Sequence, residues 1–437
     1  MNVEIKALAF VLMAALLLCG CGQKSETAAA APAQAVTASA AQSGTARPVC
    51  TGVTPEQFGA KGDGIADDLR ALQAAMQQAS ASGRPLELTA GAVYRFSSCL
   101  GLPSGLTIRG NGAVLLSDIQ YPDLREDRVA VELMKDSDDD RAHDVRLENV
   151  TFRAADSCQA NYMLRVMLAR NVEFVGCTFD CEPNEWGRCA ADLYGGNENI
   201  RFEGCVFRQM TSGASGGIWV RNWTDRVESR NIRFQNCEFY KSGADELLAV
   251  WGWGGAVRDV VLSGCSFYET QTQEALDADH RPAWFITLGQ SGTTDVRMED
   301  CTVRAEHCET IFRMVGDKTR AVVDNCDITM KQPDSMAEHD MKKGANPMLA
   351  RGNDRADGST VIQNSRITLS GDNGRRICYQ LSALKGNTLD VSLGCGIAST
   401  KEVSGNTIRG RIRHKVFQDC SGVENNNVEV RRFSILG

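Results

Sequence analysis

NIRFEGCVF, residues 199–207, is the most informative segment for the fold, because versions of it recur along most of the chain. Equivalent positions in successive copies are about 20 to 40 residues apart, a period that indicates a solenoid rather than a duplicated domain. Full copies begin at Asp144, Asn171, Asn199, Asn231, Asp259 and Asp295, looser copies begin at Arg320 and Ser359, and short echoes occupy residues 387–389, 406–408 and 426–428.

Each copy has the pattern of two short β-strands joined by a corner. Two apolar residues alternate with polar ones, a small or polar pair follows, and Cys or Asn then precedes another apolar residue. A period of two is typical of strands, and Gly or Asn in the pair indicates the corner. The repeat is too short for a strand, a crossover helix and a second strand. A leucine-rich repeat is the alternative, but its regular leucine pattern is absent. We therefore predict an all-β, single-stranded parallel β-helix of about ten coils.

Stacking of the coils at ~4.8 Å would bring equivalent side chains into columns along the axis. We expect one column to be a ladder of buried thiols, because other copies have apolar residues or Asn at that position. Disulfides are instead predicted between Cys50 and Cys99 and between Cys181 and Cys189. The predicted ladder consists of Cys177, Cys205, Cys237, Cys265, Cys301 and Cys326, continued by Asn387, Asn406 and Asn426.

The N-terminal segment has the features of an export signal. Lys6 precedes an apolar run at residues 7–18, which is too short for a convincing membrane span. Leu-Cys-Gly-Cys at residues 18–21 resembles a bacterial lipobox. The resemblance implies a signal peptide at residues 1–20, lipidation of Cys21 and, because Gly22 follows, the outer membrane of a Gram-negative cell. A plain secretory signal is the alternative. Residues 21–48 lack periodicity, which predicts a flexible tether to a domain at residues 49–437.

Phe-Gly-Ala-Lys-Gly-Asp-Gly at residues 58–64, followed by Asp67, Asp68 and a helical pattern, resembles the N-terminal signature of the pectate-lyase superfamily. That superfamily includes polygalacturonase-like hydrolases and phage tailspikes, and the resemblance implies a right-handed β-helix with an N-terminal capping helix. We expect the cap at residues 53–110 and the coils at residues 111–437. The helix would begin after Asp67 or Asp68, end near Ala79 and cover the open end of the solenoid. Its apolar stripe consists of Leu69, Leu72, Met76 and Ala79.

A second strand lies between the copies, and its outward residues are unusually aromatic and charged. The strands are ADLYGG at 191–196, GIWVRN at 217–222, LLAVWG at 247–252, WFITLG at 284–289 and IFRMVG at 311–316. Trp and Tyr exposed on a flat sheet favour the stacking of sugar rings, and packing under loops is the alternative. The candidate substrate-binding residues are Asp192, Tyr194, Trp219, Arg221, Trp223, Trp251, Trp253, Arg281, Trp284 and Arg313.

The turns that lead into these strands carry ionisable groups. Asp245 and Asp277 are one coil apart, so carboxylates of adjacent coils would lie ~5 Å apart. Such separations and larger ones serve retaining and inverting glycosidases, and crowded like charges raise one pKa enough to make a general acid. Solvated surface turns are the alternative. The candidate catalytic residues are Asp245, Glu246, Asp277, Asp279 and His280.

These residues predict a protein that acts on polysaccharide, most simply as a glycoside hydrolase. The coils contain no Asn-Thr-Asp or Gly-His-Gly of the polygalacturonase pattern, so galacturonan is not implied. Asp-Ala-Asp-His at residues 277–280 does not reproduce the Asp-Pro-His-Asp of alginate epimerases. A uronate lyase stays open, with Arg221 or Arg281 as neutraliser and His280 or Tyr194 as base. A lipoprotein that only binds glycan also stays open.

Other partners are less favoured by the composition. The net charge of −8 argues against nucleic acid. No Cys-x-x-Cys pair occurs, so we predict no zinc site and no cofactor, with the acidic residues 136–140 as a weak calcium candidate. The last coils are basic and offer a second place for an anionic glycan or a membrane surface, through Arg375, Arg376, Arg409, Arg411, Arg413, Lys415, Arg431 and Arg432.

Overall fold

The computed structural model describes residues 52–120, 128–134, 140–181, 189–210, 217–222, 227–241, 246–269, 284–305, 310–331, 347–353, 357–371 and 376–432. The chain divides into two compact units, Met1–Val49 and Cys50–Gly437, and every described residue belongs to the second. The predicted signal peptide, the lipidation site Cys21 and the tether therefore lie outside the described residues.

The described domain is a parallel β-helix with three faces, which we name sheets A, B and C. Strands pair in parallel with their equivalents in the neighbouring coils. Sheet C contains Leu100–Gly101, Val129–Met134, Tyr162–Met167, Cys189–Tyr194, Ile218–Arg221, the first part of Leu248–Ser263, Trp284–Thr287, Thr310–Arg313, Pro347–Arg351, Arg376–Tyr379, Ile397–Ala398 and Phe417–Gln418. Sheet A contains Leu86–Glu87, Thr107–Arg109, Ala142–Glu148, Ala169–Val175, Glu198–Glu203, Ser229–Gln235, the second part of Leu248–Ser263, Gly292–Glu299, Lys318–Asp324, Ser359–Gln363, Ala383–Lys385, Glu402–Ser404 and Val423–Glu424. Sheet B contains Asp63–Asp67, Val93–Phe96, Val114–Ser117, Thr151–Ala154, Thr178–Asp180, Val206–Met210, Glu238–Lys241, Ser266–Glu269, Thr302–Ala305, Asp327–Lys331, Arg366–Gly371, Thr388–Leu393, Thr407–Ile412 and Asn427–Arg432.

The chain runs from sheet C to sheet A to sheet B and then into the next coil. The helix is right-handed, as parallel strands with crossover connections almost always are. The predicted all-β parallel β-helix is confirmed, but sheet A has more strands than the ten or so coils expected. The reason is that Leu86–Glu87 and Thr107–Arg109, which precede the first copy of the motif, already stack as coils.

The small or polar pair of the repeat turns the chain between sheets A and B through left-handed backbone. Asn149, Gly176 and Asn236 at these corners have φ of 52°, 61° and 53°. Gly and Asn tolerate this conformation best. At Gly176 space is limiting too, because a Cβ atom there would lie 2.5 Å from Asn149 Oδ1. The Gly-Cys and Asn-Cys pairs are thus a corner residue followed by a core residue.

Columns of like side chains fill the interior. Phe179, Phe207 and Phe239 stack with ring centroids 4.8 and 5.0 Å apart. All six cysteines of the predicted ladder are buried, and their thiols donate to backbone carbonyls, as Cys205 Sγ does to Phe174 O at 3.3 Å. In the later coils Asn387 takes the same place. Its Nδ2 donates to Asn406 Oδ1 and to Ile362 O, both at 3.0 Å.

The predicted disulfide between Cys181 and Cys189 is wrong, because both are reduced thiols. Cys189 is fully buried, and its Sγ donates to the carbonyls of Ala191 and Gly217 at 3.2 and 3.4 Å. The S–H group of Cys189 therefore finds its hydrogen-bond acceptors in its own strand and in the next coil. Cys99 is also a thiol, and its predicted partner Cys50 lies outside the described residues.

The cap consists of a 3₁₀ turn, Pro55–Phe58, and the single described α-helix, Leu69–Ser82. The helix buries Ala71, Leu72, Ala75, Met76 and Ala79, so the predicted apolar stripe covers the end of the solenoid as expected, although Leu69 is only partly buried. Among the described residues, no helix has the length and apolar character needed to cross a membrane.

Candidate functional site

Asp68 shows how the N-terminal signature works. Asp68 stands at the N-cap position of the helix, but its carboxylate accepts hydrogen bonds from the backbone N–H of Lys61 and Gly62 at 2.7 and 3.0 Å. The helix N–H of Leu69 instead donates to Asp67 Oδ1 at 3.2 Å. Both carboxylates therefore stabilise the cap. The aromatic and charged residues predicted for the site lie on sheet C instead.

Strand alternation sends the aromatic and charged residues of sheet C outward. Their neighbours Leu193 and Val220 are fully buried in the core. The register then aligns the outward residues in successive coils. The sheet C platform, as we name this face, has one column formed by Arg165, Asp192, Trp219, Ala249, Thr287 and Arg313, and a second formed by Tyr194, Arg221 and Trp251.

Asp192 is the fully buried centre of an ion cluster at one end of the platform. Arg221 Nε and Nη2 donate to Asp192 Oδ1 and Oδ2 at 2.7 and 2.8 Å, and Arg165 Nε donates to Oδ2 at 3.1 Å. Burial alone would lower the pKa of Arg221, but the hydrogen bond and charge of Asp192 outweigh it and raise that pKa. Both carboxylate oxygens are occupied, so Asp192 holds the two arginines in place rather than transferring a proton.

Aromatic rings enclose the two guanidinium groups. The Arg165 guanidinium carbon lies 4.3 Å from the centroid of Tyr162, and that of Arg221 lies 4.8 Å from Tyr194 and 4.2 Å from Trp219. Burial raises the pKa of Tyr162 above its ordinary value. Rings and arginines support each other here through cation–π contacts.

A row of tryptophans continues from this cluster along the platform. Trp219 and Trp251 stack with centroids 5.5 Å apart, and Trp253 meets Trp251 edge-on at 6.2 Å. Trp253 is 59% exposed. The buried indole N–H groups of Trp219 and Trp251 find no acceptor among the described residues. Of the three rings, Trp253 is the one most exposed to solvent, and an exposed aromatic ring is a feature that sugar binding uses.

Glu246 forms a second charged cluster on the other side of the tryptophans. It is only 5% exposed, Thr287 Oγ1 donates to its Oε1 at 2.8 Å, and Arg313 Nη1 lies 3.7 Å from the same oxygen. The Arg313 guanidinium carbon lies 3.8 Å from the centroid of Trp284. Burial lowers the pKa of Arg313. Thr287 and Arg313 together orient the carboxylate of Glu246 from one side.

The structure therefore brings all nine described candidate residues to one face, in two clusters joined by the tryptophans. Asp192, Tyr194, Trp219, Arg221, Trp251 and Trp253 belong to the first cluster and the row, and Glu246, Trp284 and Arg313 belong to the second. The other predicted site residues lie outside the described residues and stay predictions: Trp223, Asp245, Asp277, Asp279, His280 and Arg281.

Sequence reasoning missed Arg165, Tyr162 and Thr287. A signal for Arg165 exists, because Tyr-Met-Leu-Arg-Val-Met at residues 162–167 is the sheet C strand one coil before ADLYGG, with Arg165 in register with Asp192. Thr287 gave no signal, because a threonine in a strand is ordinary and only the contact with Glu246 reveals its role.

Within the described ranges, no group of three or more His, Cys, Asp or Glu side chains is placed to hold a metal ion. Residues 136–139 of the calcium candidate lie outside those ranges, so the predictions on metals and cofactors stay untested.

Coils, cap and sheet C platform together define a right-handed parallel β-helix protein with an aromatic and charged face. Residues 53–344 match the family profile described as rhamnogalacturonase A/epimerase, pectate lyase-like, and the chain belongs to that family. The resemblance carried by residues 58–68 is thereby confirmed. No curated protein sequence matches the chain at a significant level.

Solved structures of low sequence identity are similar to this chain, and the two with a TM-score above 0.5 share its fold. The surface adhesin PfbA of Streptococcus pneumoniae matches with a TM-score of 0.56 and 12% identity, over 87% of this chain and 93% of that chain. A second structure of the Streptococcus pneumoniae adhesin PfbA gives 0.53 and 14%, over 87% and 97%. The family 28 exopolygalacturonase of Yersinia enterocolitica gives 0.45 and 12%, over 88% and 80%.

Proposed function

We propose that this protein is a polysaccharide-cleaving glycoside hydrolase that binds its substrate along the sheet C platform. The observation that carries the proposal is the tryptophan row beside the buried, oriented carboxylate of Glu246. A glycan chain lying over Trp219 and Trp251 would place one glycosidic bond near that carboxylate. Membership in the pectate-lyase-like family supports a polysaccharide as the ligand.

In this proposal, some residues of the platform bind the glycan and others take part in the cleavage reaction. Trp219, Trp251 and Trp253 would stack sugar rings, and the arginines held by Asp192 would keep the first ring faces rigid. Glu246, fixed by Thr287, would act as one of the two carboxylates that glycoside hydrolysis needs. The second carboxylate is assigned to Asp279, with Asp277 and Asp245 as alternates, because the sequence places them in turns that lead into the same sheet.

A binding protein without chemistry is the second candidate function. The observation that favours it is the saturation of Asp192 by two arginines, which removes one of the two buried carboxylates of the platform from proton transfer. In that case the tryptophan row alone would bind the ligand.

A uronate lyase would instead use the positive charge of Arg313 or Arg221 to neutralise the substrate carboxylate.

Product analysis on a panel of polysaccharides distinguishes these functions. A hydrolase produces new reducing ends without unsaturated uronate absorbance, a lyase produces that absorbance, and a binding protein retains the glycan uncut.

Glu246→Gln should lower turnover by orders of magnitude at unchanged fold, whereas Trp251→Ala should mainly weaken binding, by about 1–3 kcal/mol. Normal turnover by Glu246→Gln on a substrate that the wild type cleaves would refute the role of Glu246. Chelator treatment should leave activity unchanged if no metal takes part.

We also propose that the mature protein is a lipoprotein anchored through Cys21 in the outer membrane. The support is the sequence of residues 1–22 alone. Labelling with an alkyne fatty acid should mark the wild type and not Cys21→Ser, and fractionation should place the labelled protein with outer-membrane markers. Label that persists in Cys21→Ser would contradict the anchor.

A further inference from the structure

A groove of about 520 Å³ lies on the outer face of sheet A, in the coils whose sheet C strands carry Arg165, Asp192 and Arg221. This volume is in the range of ligand sites in proteins. Four consecutive coils line the groove with two columns of polar side chains, and no aromatic ring is among the lining residues. Its chemistry is therefore different from that of the sheet C platform.

The first column stands at the rim and consists of Asp144, Asn171, Asn199 and Asn231. Each has left-handed backbone, with φ between 54° and 57°. Each amide Nδ2 donates to the side-chain oxygen of the preceding coil, from Asn171 to Asp144 at 2.8 Å and from Asn199 to Asn171 at 2.9 Å. An amide has two N–H donors and two acceptor lone pairs. The ladder bonds leave one donor of each amide for a ligand.

The second column stands on the sheet and consists of Arg146, Glu173, Arg201 and Arg233. Glu173 accepts a hydrogen bond from Arg146 and lies 3.7 Å from Arg201 Nη1. Arg146, Glu173 and Arg201 keep 37–38% of their side-chain surface exposed. These mutual contacts fix planar donor and acceptor groups in a row while their outer edges face the groove.

The two columns exclude several classes of ligand. A lipid or an apolar peptide would find no exposed apolar side chain to contact, because the lining residues Val145 and Ile200 are buried. An extended peptide adds to the edge of a sheet rather than to its face. A nucleic acid would meet Asp144 and Glu173 as well as a net charge of −8. Sugars remain, because neighbouring hydroxyl groups both donate and accept, as the amide, carboxylate and guanidinium groups of this groove do.

We propose that the sheet A groove is a second oligosaccharide-binding site, separate from the sheet C platform and without a catalytic role. It would hold a linear glycan parallel to the helix axis, with about one sugar unit for each coil spacing of ~4.8 Å. Asp144 marks one end of the site. The ion pair of Arg233 with Asp259, 2.7 Å long, closes the other end.

Arg201→Ala and its matched control Arg297→Ala test the proposal. Both arginines point outward from sheet A and pair with two carboxylates, Arg201 with Glu173 and Glu203 and Arg297 with Glu299 and Asp324, but Arg297 does not line the groove. The probes are cellotriose, maltotriose and trigalacturonic acid. Calorimetry should find two sites per chain for at least one probe in the wild type and in Arg297→Ala, and one in Arg201→Ala.

Tryptophan fluorescence separates the two sites, because the groove contains no tryptophan. Arg201→Ala should keep the fluorescence change that binding on sheet C causes. In Trp251→Ala that change should require a higher probe concentration, while binding in the groove stays unaltered. Asn199→Gly removes a groove side chain with a residue that tolerates the left-handed backbone, and it should weaken groove binding at least tenfold. It provides a second groove variant in case Arg201→Ala does not fold. Wild-type stoichiometry and affinity in both groove variants would overturn the proposal. The failure of all three probes to bind Trp251→Ala would also overturn the proposal. Groove binding in a protein that cleaves no polysaccharide would contradict only the hydrolase assignment.

Discussion

Among single residues, burial separates the charged groups that maintain the fold from those that can meet a ligand. Asp192 has no exposed side-chain surface and two arginine partners, whereas the exposed pair of Arg409 and Glu429 keeps more than half of each side chain in water. A buried carboxylate that loses its charge leaves its arginines buried and unpaired. The same type of ion pair therefore has very different consequences in the two places.

Asp192→Asn should lower the free energy of unfolding by about 3–5 kcal/mol, since Arg165 and Arg221 would then repel each other inside the cluster. Urea unfolding followed by circular dichroism measures the effect. Glu429→Gln is the control and should change stability by less than about 1 kcal/mol. Equal effects of the two substitutions would mean that the Asp192 cluster is not the structural anchor described.

Asp118 should contribute a measurable part of the acid sensitivity. Burial opposes its charge, but hydrogen bonds from Ser157 and Arg95 outweigh burial and lower the pKa of Asp118. A carboxyl with a lowered folded-state pKa stabilises the fold fully above its unfolded value, about 3.9, and loses that contribution as the pH falls through the folded value. Asp118→Asn should therefore be less stable than the wild type at pH 6 and show a smaller further loss below about pH 4. Parallel stability curves for the two proteins would contradict this.

At the scale of strands and corners, the sequence was informative wherever one residue type recurs at one position. The NIRFEGCVF repeat predicts sheets A and B well, because its alternation and its corner residues each follow from backbone geometry. Sheet C was recognised only from residue 191 onward, and Arg165 was missed. The reason is that the residue types on the outer face of sheet C differ from coil to coil. The contacts of Glu246 with Thr287 and Arg313 join residues of three coils, which no local pattern reveals.

The thiol ladder is the element whose energetic role is easiest to test. Cys205 is buried between Cys177 and Cys237, and hydrogen bonds with both, together with burial, raise the pKa of Cys205. Cys205→Ala should lower stability by about 1–3 kcal/mol through the cavity it leaves, without changing activity. The half-buried Cys420 is the control, and Cys420→Ala should cost less.

Thiol titration provides an independent check of the ladder. The ladder thiols should react with a water-soluble disulfide reagent only after denaturation. Rapid reaction of Cys205 in the native protein, or its absence from the thiol count after denaturation without reductant, would contradict a buried reduced ladder.

For the whole molecule, the end of the solenoid governs how the coils hold together. Each coil contacts mainly its neighbours, so an uncovered first coil would expose both core and strand edges. Leu72 lies fully buried in the cap helix, whereas Arg70 on the same helix is exposed. Leu72→Ala should lower stability by about 2–5 kcal/mol, and Arg70→Ala should have little effect. A small loss for Leu72→Ala in thermal unfolding would show that the coils are stable without a tightly packed cap.

The proposed function depends on polysaccharide binding along the sheet C platform, over the tryptophans and beside Glu246. The most direct measurement is a crystal structure of Glu246→Gln with an oligosaccharide of the polysaccharide that the wild type recognises. We expect sugar rings stacked on Trp219 or Trp251, with a glycosidic oxygen within hydrogen-bond distance of residue 246. A fully occupied oligosaccharide on another face, with the sheet C platform empty, would contradict it.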